Sequence, residues 1–149
     1  MELAKRMSNQ NIIFVIAGNY DKKIDIPENM IFLGKIENQN DLAAYYSLAD
    51  VTLLTSEKET FSMVTAESLC CGTPVVGFKA GAPEMITIDK YSCFCEYGDI
   101  DALEREILKV LNIGLGDKLE ISVAAKKKYS RRVMSEDYLK IYEELINRQ

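Results

Sequence analysis

Short apolar runs alternate with helix-like segments along this chain, and that alternation limits the folds open to it more than any other feature. Residues 11–17 (NIIFVIA) form a continuous apolar, β-branched run, which predicts a strand covered on both faces. Strands that alternate with helices indicate an α/β fold, a Rossmann-like parallel sheet flanked by helices on both faces. The other predicted strands cover residues 30–33, 51–54, 74–78 and 91–95, and the predicted helices cover residues 2–7, 40–48, 62–71, 83–86, 99–111, 118–129 and 136–146.

Capping and breaking residues set the expected ends of these elements. Asn40 and Asp99 are predicted to cap the starts of two helices. Gly72 is predicted to end the helix before it, and Pro74 to begin a strand, so both have structural roles. A polar loop is predicted between the first two strands, after Asn19.

Length and charge narrow the classes of function. A chain of 149 residues is long enough for one domain, which we predict over residues 1–149. With 18 basic and 23 acidic residues the net charge is −5, which argues against a nucleic-acid partner. The absence of histidine excludes Ser-His-Asp catalysis and HExxH zinc sites. No apolar run reaches the roughly 18 residues of a membrane span, and residues 1–6 lack the apolar stretch of a signal peptide, so we expect a cytoplasmic protein.

The four cysteines allow two interpretations: they bind zinc, or they are small side chains of the core. They occur as Cys70-Cys71 and Cys93-x-Cys95, which are not the CxxC spacings of common zinc sites. We therefore predict reduced cysteines buried in the core and no metal site.

Residues 55–84 have the pattern of an anion site. Glu59 lies at a predicted strand-to-helix turn, and the backbone N–H groups of Phe61, Ser62 and Met63 are then free at a helix start, which suits a phosphate. Glu67 lies eight residues after Glu59, where its carboxylate can accept hydrogen bonds from a pair of sugar hydroxyls. No P-loop and no GxGxxG motif is present, so neither of those nucleotide sites is indicated.

The ordered set of motifs resembles the C-terminal, donor-binding domain of retaining GT-B glycosyltransferases, the glycosyl transferases group 1 family with its E-x7-E motif. Glu59 and Glu67 match that motif, followed by CGTPVV at residues 71–76 and GAPE at residues 81–84. The likeness covers nearly the whole chain. It implies the C-terminal half of a GT-B fold that lacks its first strand.

The resemblance also implies roles for individual residues. Glu59 is then the catalytic residue, touching hydroxyls of the donor sugar, and Glu67 holds the ribose hydroxyls of the nucleotide. The other implied donor-binding residues supply backbone groups to the sugar, the diphosphate or the base, or belong to a loop beside the cleft; they are Phe61, Ser62, Met63, Gly34, Lys35, Ile36, Gly81 and Glu84. The structural alternatives are an acid that favours the helix dipole at Glu59 and an ordinary solvated helix residue at Glu67. For the other positions they are a plain loop cation at Lys35 and a plain turn at residues 81–84. The implied donor is a UDP- or GDP-sugar, with no metal and no other cofactor.

Two features depart from the family pattern. Ser62 stands where the family usually has glycine; its N–H still donates, and its hydroxyl can cap the helix. The resemblance also implies that the acceptor-binding domain and the central first strand of the donor domain are not part of this sequence. We expect Met1 not to be the start of the complete enzyme. We also expect a gap between the strands at residues 11–17 and 51–54, closed by direct pairing or by exchange between chains.

The reaction implied by the resemblance is transfer of a sugar from a nucleotide-diphospho-sugar to an acceptor hydroxyl with retention of configuration, in polysaccharide biosynthesis. The acceptor glycan or lipid-linked sugar binds the absent domain, so we expect this chain alone to be inactive. Two alternatives are a nucleotide-sugar 2-epimerase of related fold, disfavoured by the lack of histidine, and a non-catalytic interaction module.

Two surfaces suggest further partners. Apolar side chains of the last helix, such as Tyr138 and Tyr142, are expected to be exposed and to support self-association. The basic clusters at residues 126–128 and 131–132 either stabilise a helix end or meet the anionic inner face of a membrane in the full-length enzyme.

Overall fold

The computed structural model describes residues 1–19 and 25–148, so the polar loop predicted after Asn19 lies partly outside the described residues. The elements within those ranges are α1 (Glu2–Arg6), β1 (Phe14–Ala17), β2 (Met30–Gly34), α2 (Gln39–Leu48), β3 (Thr52–Leu54), α3 (Met63–Cys70), β4 (Val75–Phe78), α4 (Pro83–Ile86), a 3-10 turn (Asp89–Tyr91), β5 (Ser92–Cys95), α5 (Ile100–Ile113), α6 (Lys118–Tyr129) and α7 (Arg131–Ile146).

Most boundaries agree with the sequence, and the exceptions have capping causes. Asp99 caps α5 as predicted, by accepting a 2.8 Å hydrogen bond from the Ala102 N–H. The predicted cap at Asn40 is wrong. Instead, Asn38 Oδ1 accepts a 2.9 Å hydrogen bond from the Asn40 N–H, and α2 begins at Gln39. Helix α7 begins at Arg131 rather than residue 136, since Ser130 supplies a hydroxyl acceptor to its first turn.

The strands form two parallel sheets, and this confirms the predicted α/β fold class. One sheet pairs β1 with β2, and the other has the order β3–β4–β5. Helices α3 and α5 both pack against β4. Strands β1 and β3 therefore belong to different sheets, and the direct pairing considered for them is not formed in the part of the chain that the structure describes.

The chain divides into two compact units, Met1–Tyr45 and Tyr46–Gln149, called unit 1 and unit 2 below. In unit 1, Leu3, Ala4 and Met7 are buried. The expectation that the strand at residues 11–17 is covered on both faces is wrong, because Val15 is 50% exposed and its register partner Ile31 is 48% exposed. Side chains alternate between the two faces of a strand, and the described part of unit 1 covers only one of them.

Unit 2 has its core between α3, α6 and the β3–β4–β5 sheet. The buried side chains of this core are Leu54, Leu69, Val75, Tyr91, Ile121 and Ala125. Helix α5 buries one face through Leu103, Ile107 and Val110, as its periodicity predicts. This core fixes α3, and therefore the position of its N-terminal end.

Gly72 has the structural role that the sequence predicts. It ends α3 with φ +86°, a left-handed conformation that favours glycine. A Cβ at this position would lie 2.3 Å from the backbone oxygen of Lys118 in α6, so the site also needs the absence of a side chain.

The cysteines and α7 are more exposed than core elements. All four cysteines are free, and each is partly exposed, so the prediction that they are buried core residues is wrong. Cys93 and Cys95 lie on β5 at the edge of its sheet, and Cys70 and Cys71 lie at the C-terminal end of α3, where coverage is incomplete.

Helix α7 has no buried residue, and Tyr138 and Tyr142 are exposed as predicted. None of the helices within the described ranges has the length and apolar character needed to cross a bilayer.

Candidate functional site

The candidate site in unit 2 is built from two loops at the carboxyl ends of neighbouring parallel strands. Residues 55–62 follow β3, and residues 79–82 follow β4. Such ends lie at the same edge of a sheet, where ligands of α/β folds bind. A parallel β-bridge joins Glu59 to Gly81, and the Glu59 N–H donates a 2.9 Å hydrogen bond to the Ala80 carbonyl. The structure therefore brings the predicted residues Glu59 and Gly81 together.

The Glu59 carboxylate is held by a nearby hydroxyl. Ser56 Oγ donates to Glu59 Oε1 at 2.7 Å. The Glu59 side chain is partly exposed, so its carboxylate remains accessible to a ligand hydroxyl. A carboxylate with two oxygens has several acceptor positions, and Ser56 uses only one of them.

The N-terminal end of α3 follows Glu59 and presents backbone donors. The N–H groups of Phe61, Ser62 and Met63 make no hydrogen bond within residues 1–19 and 25–148. Unsatisfied N–H groups at a helix start, together with the helix dipole, favour an anion. Phe61 and Met63 have exposed side chains that border these donors.

Ser62 has an unusual backbone conformation at this helix start. Its φ is +68°, and it is the non-glycine residue with positive φ in the described part of the chain. The expectation that its hydroxyl caps α3 is wrong: the Ser62 hydroxyl instead shares a buried 2.9 Å hydrogen bond with Thr65 Oγ1. The left-handed backbone turns the side chain inward, towards the buried Thr65.

Glu67 lies on α3, eight residues after Glu59 along the chain, and has a hydroxyl donor of its own. Tyr46 Oη donates to Glu67 Oε2 at 3.3 Å. Thr73, fully buried, donates through Oγ1 to the Tyr46 carbonyl at 2.5 Å and so fixes the backbone behind the tyrosine. Burial, and then the charge of Glu67, raises the pKa of the Tyr46 hydroxyl, so this group remains a donor.

The Glu84 carboxylate accepts hydrogen bonds from two backbone N–H groups. Its Oε2 accepts from the Ala80 N–H at 3.0 Å, and its Oε1 accepts from the Gly81 N–H at 2.9 Å. Partial burial favours the neutral acid, but the backbone donors and the nearby Lys79 ammonium outweigh it and lower the pKa of Glu84. Lys79 itself forms an ion pair with Glu96.

The other predicted residues, Gly34, Lys35 and Ile36, lie in unit 1. Gly34 ends β2 with φ +72°, and its carbonyl accepts from the Gly18 N–H at 2.8 Å. The Lys35 ammonium lies 3.1 Å from a Glu37 carboxylate oxygen, and both side chains are exposed. Ile36 is partly buried.

Sequence reasoning missed the groups that orient the two carboxylates, Ser56 and Tyr46. Ser56 is only three residues before Glu59, and a serine in that position is a local signal that could have found it. Tyr46 is 21 residues from Glu67, and nothing in the sequence indicates that pairing. Across the described ranges, no group of three or more Cys, Asp or Glu side chains is arranged to hold a metal ion.

Comparison with known proteins gives one consistent family. Residues 1–128 match the family described as Glycosyl transferases group 1. The chain is 35% identical over 91 residues to the N-acetyl-alpha-D-glucosaminyl L-malate synthase of Bacillus anthracis, an alignment that covers 60% of this chain and 23% of that protein.

Two solved structures share the fold. Sucrose-phosphate synthase from Thermosynechococcus elongatus has a TM-score of 0.77 at 20% identity, covering 99% of this chain and 42% of that one. Anabaena Alr3699/HepE, solved in complex with UDP, has a TM-score of 0.77 at 15% identity, covering 95% and 44%. The chain therefore spans less than half the length of each of these proteins.

Proposed function

The chain belongs to the glycosyl transferases group 1 family, and from this premise we propose that it is the donor-binding part of a retaining glycosyltransferase, with the nucleotide-diphospho-sugar at the N-terminal end of α3. The observation that supports the proposal best is the set of unsatisfied N–H groups at Phe61, Ser62 and Met63, with Glu59 before them and Glu67 behind them on one short stretch of chain. Donors for an anion and acceptors for hydroxyls are the chemistry that a nucleotide sugar requires.

In this proposal each group acts on one part of the donor. The N–H groups of α3 bind diphosphate oxygens and stabilise the charge that grows on the nucleoside diphosphate as it leaves. Glu59 accepts hydrogen bonds from hydroxyls of the donor sugar and orients its reacting carbon. Glu67 accepts from the ribose hydroxyls, in the orientation that Tyr46 gives it. The transfer proceeds with retention of configuration and without a metal, since these donors and the helix dipole act on the diphosphate directly.

The family resemblance supports roles for the unit 1 residues and for the donor. Gly34, Lys35 and Ile36 would contact the base, largely through backbone groups. The donor would be a UDP- or GDP-sugar, and the UDP complex of the structurally similar HepE supports UDP as the first nucleotide to test. The transferred sugar would enter a cell-surface polysaccharide or a related glycan.

The acceptor would be bound outside these 149 residues, because the aligned residues cover only 23% of the similar Bacillus anthracis synthase and the chain covers only 42% of sucrose-phosphate synthase. A glycan or lipid-linked sugar is the acceptor class we propose, with the enzyme at the cytoplasmic face of the membrane. By itself the chain would bind donor without transferring it. The exposed apolar residues of α7, such as Tyr138 and Tyr142, would support self-association of the isolated chain.

Calorimetric titration with UDP, GDP and ADP and with their sugar conjugates tests this proposal. We expect saturable binding of one nucleotide, and its loss in Glu67→Ala. Glu106→Ala is the matched control, since Glu106 is a partly buried α5 carboxylate that pairs with Lys109 and lies outside the candidate site. Equal binding by wild type and Glu67→Ala would contradict the proposed site.

A further inference from the structure

We propose that Glu84 is a positioning residue that holds Glu59 in place for the donor sugar; this rests on the proposed function and replaces direct donor contact as the role of Glu84. The link between the two carboxylates is a single backbone peptide group, between Ala80 and Gly81. One edge of that group is bonded to the Glu59 backbone and the other edge is bonded to the Glu84 carboxylate.

The geometry of this peptide group couples the two residues. The carbonyl of Ala80 accepts from the Glu59 N–H at 2.9 Å, and the N–H of Gly81 donates to Glu84 Oε1 at 2.9 Å. In a trans peptide the carbonyl and the N–H point in opposite directions from one rigid plane. A rotation of this plane therefore changes both hydrogen bonds at once, and an acceptor on one edge strengthens the bond on the other by polarisation.

A second contact of Glu84 prevents that rotation. Glu84 Oε2 accepts from the Ala80 N–H at 3.0 Å, so the two oxygens of one carboxylate bind the N–H groups on both sides of the Ala80 Cα. Gly81 then continues the chain with φ +97°, a conformation that L side chains rarely adopt. The carboxylate holds the loop in this conformation, and the β-bridge transmits it to Glu59.

The Glu59 side chain depends on the backbone that this arrangement fixes. Its carboxylate accepts from Ser56 Oγ at 2.7 Å, within the loop that the bridge to Gly81 secures. If the Ala80–Gly81 peptide rotates, the Glu59 N–H loses its acceptor. The backbone that carries the Glu59 carboxylate is then no longer held in one position. A role of Glu84 confined to starting α4 would leave Glu59 unaffected, and this difference makes the proposal testable.

The first test measures amide hydrogen exchange by NMR in the ligand-free full chain. In Glu84→Gln the amide nitrogen of the new side chain cannot accept, so one of the two backbone bonds is lost. We expect the Glu59 N–H to exchange about tenfold faster than in wild type. This is the effect of losing one backbone hydrogen bond to the charged Glu84 carboxylate, passed on through the Ala80–Gly81 peptide. Glu106→Gln is the matched control and should leave this rate unchanged. Faster exchange at Ala80 and Gly81 with an unchanged rate at Glu59 would overturn the proposal.

The second test uses ligand pairs that differ only by the sugar, UDP-N-acetylglucosamine with UDP and GDP-mannose with GDP. We expect Glu84→Gln to bring the affinity ratio of nucleotide sugar to nucleotide close to one, as Glu59→Ala does, and to keep the affinity for the nucleotide alone. An unchanged ratio would overturn the proposal. If Glu84→Gln does not fold, Glu84→Asp, which keeps the charge but is one methylene shorter, is measured in the same way. If wild type binds neither pair, the proposed function fails, and the exchange rates alone decide the role of Glu84.

Discussion

Tyr46 Oη lies 3.3 Å from Glu67 Oε2, and the Thr73 hydroxyl donates a hydrogen bond to the Tyr46 carbonyl. The contact joins the C-terminal part of α2 to the middle of α3. It places a protonated hydroxyl against one carboxylate oxygen and leaves the other without a donor among the described residues. The proposed acceptor for ribose hydroxyls is therefore oriented by a neighbouring tyrosine hydroxyl.

The substitution Tyr46→Phe tests that orientation, because it removes the hydroxyl and keeps the ring. We expect the affinity for the bound nucleotide to fall about threefold to tenfold, in line with the loss of one hydrogen bond to a charged group. Calorimetric titration measures this. Tyr45→Phe is the control, since Tyr45 is the adjacent tyrosine and its side chain is 40% exposed. Wild-type affinity in Tyr46→Phe would contradict the role given to the hydroxyl.

Ser62 carries backbone strain that glycine would relieve. We expect Ser62→Gly to have a free energy of unfolding about 1 kcal/mol above that of Ser62→Ala, because both lose the bond to Thr65 and only alanine keeps the penalty of φ +68°. Urea denaturation of the two variants gives this difference. Equal stabilities would show that the left-handed conformation at the start of α3 is not maintained.

Gly72 and Gly98 separate the effects of conformation and contact. Their φ values are +86° and +87°, but a Cβ at Gly72 meets the Lys118 backbone, whereas a Cβ at Gly98 meets nothing within 4 Å. We expect Gly98→Ala to cost about 1 kcal/mol and Gly72→Ala about 3 kcal/mol or more. Thermal and urea unfolding measure both. A similar cost for the two variants would mean that α3 and α6 are not packed as closely as described.

The lowered pKa of Glu84 predicts a pH-dependent contribution to stability. Because the folded-state pKa lies below the usual value of 4.5, the ionised carboxylate stabilises the folded chain above that pH, and the contribution is lost as the pH falls through the folded-state pKa. The difference in free energy of unfolding between wild type and Glu84→Gln should stay constant from pH 7 to about pH 5 and shrink below it. A difference that grows on acidification would have the wrong sign.

The fold could be predicted from the sequence where local signals agree. The predicted bounds of α4 and α6, residues 83–86 and 118–129, agree with the structure, and the parallel strands follow from short apolar runs between helices. Expectations about burial were less successful. Val15 is exposed and the cysteines are only partly buried, because burial depends on which elements pack over a side chain. The sequence pattern gives only the side chain's own character.

The candidate site divides in the same way. The carboxylates of Glu59 and Glu67 and the helix start between them could be predicted, because motif spacing and backbone chemistry are local. The contacts that orient them could not, since Tyr46 reaches Glu67 across 21 residues, and Glu84 reaches Glu59 through the backbone of Ala80. The hydroxyl of Ser62 binds Thr65 instead of capping α3, because a single positive φ redirects the side chain.

Chemical-shift mapping of the backbone amides tests whether a nucleotide binds at the N-terminal end of α3. The chain labelled with ¹⁵N is titrated with UDP and, separately, with GDP. We expect one of the two nucleotides to give its largest saturable shifts at the N–H groups of Phe61, Ser62 and Met63, the unsatisfied donors at the start of α3. Saturable shifts confined to other parts of the chain, or no shifts with either nucleotide, would contradict it.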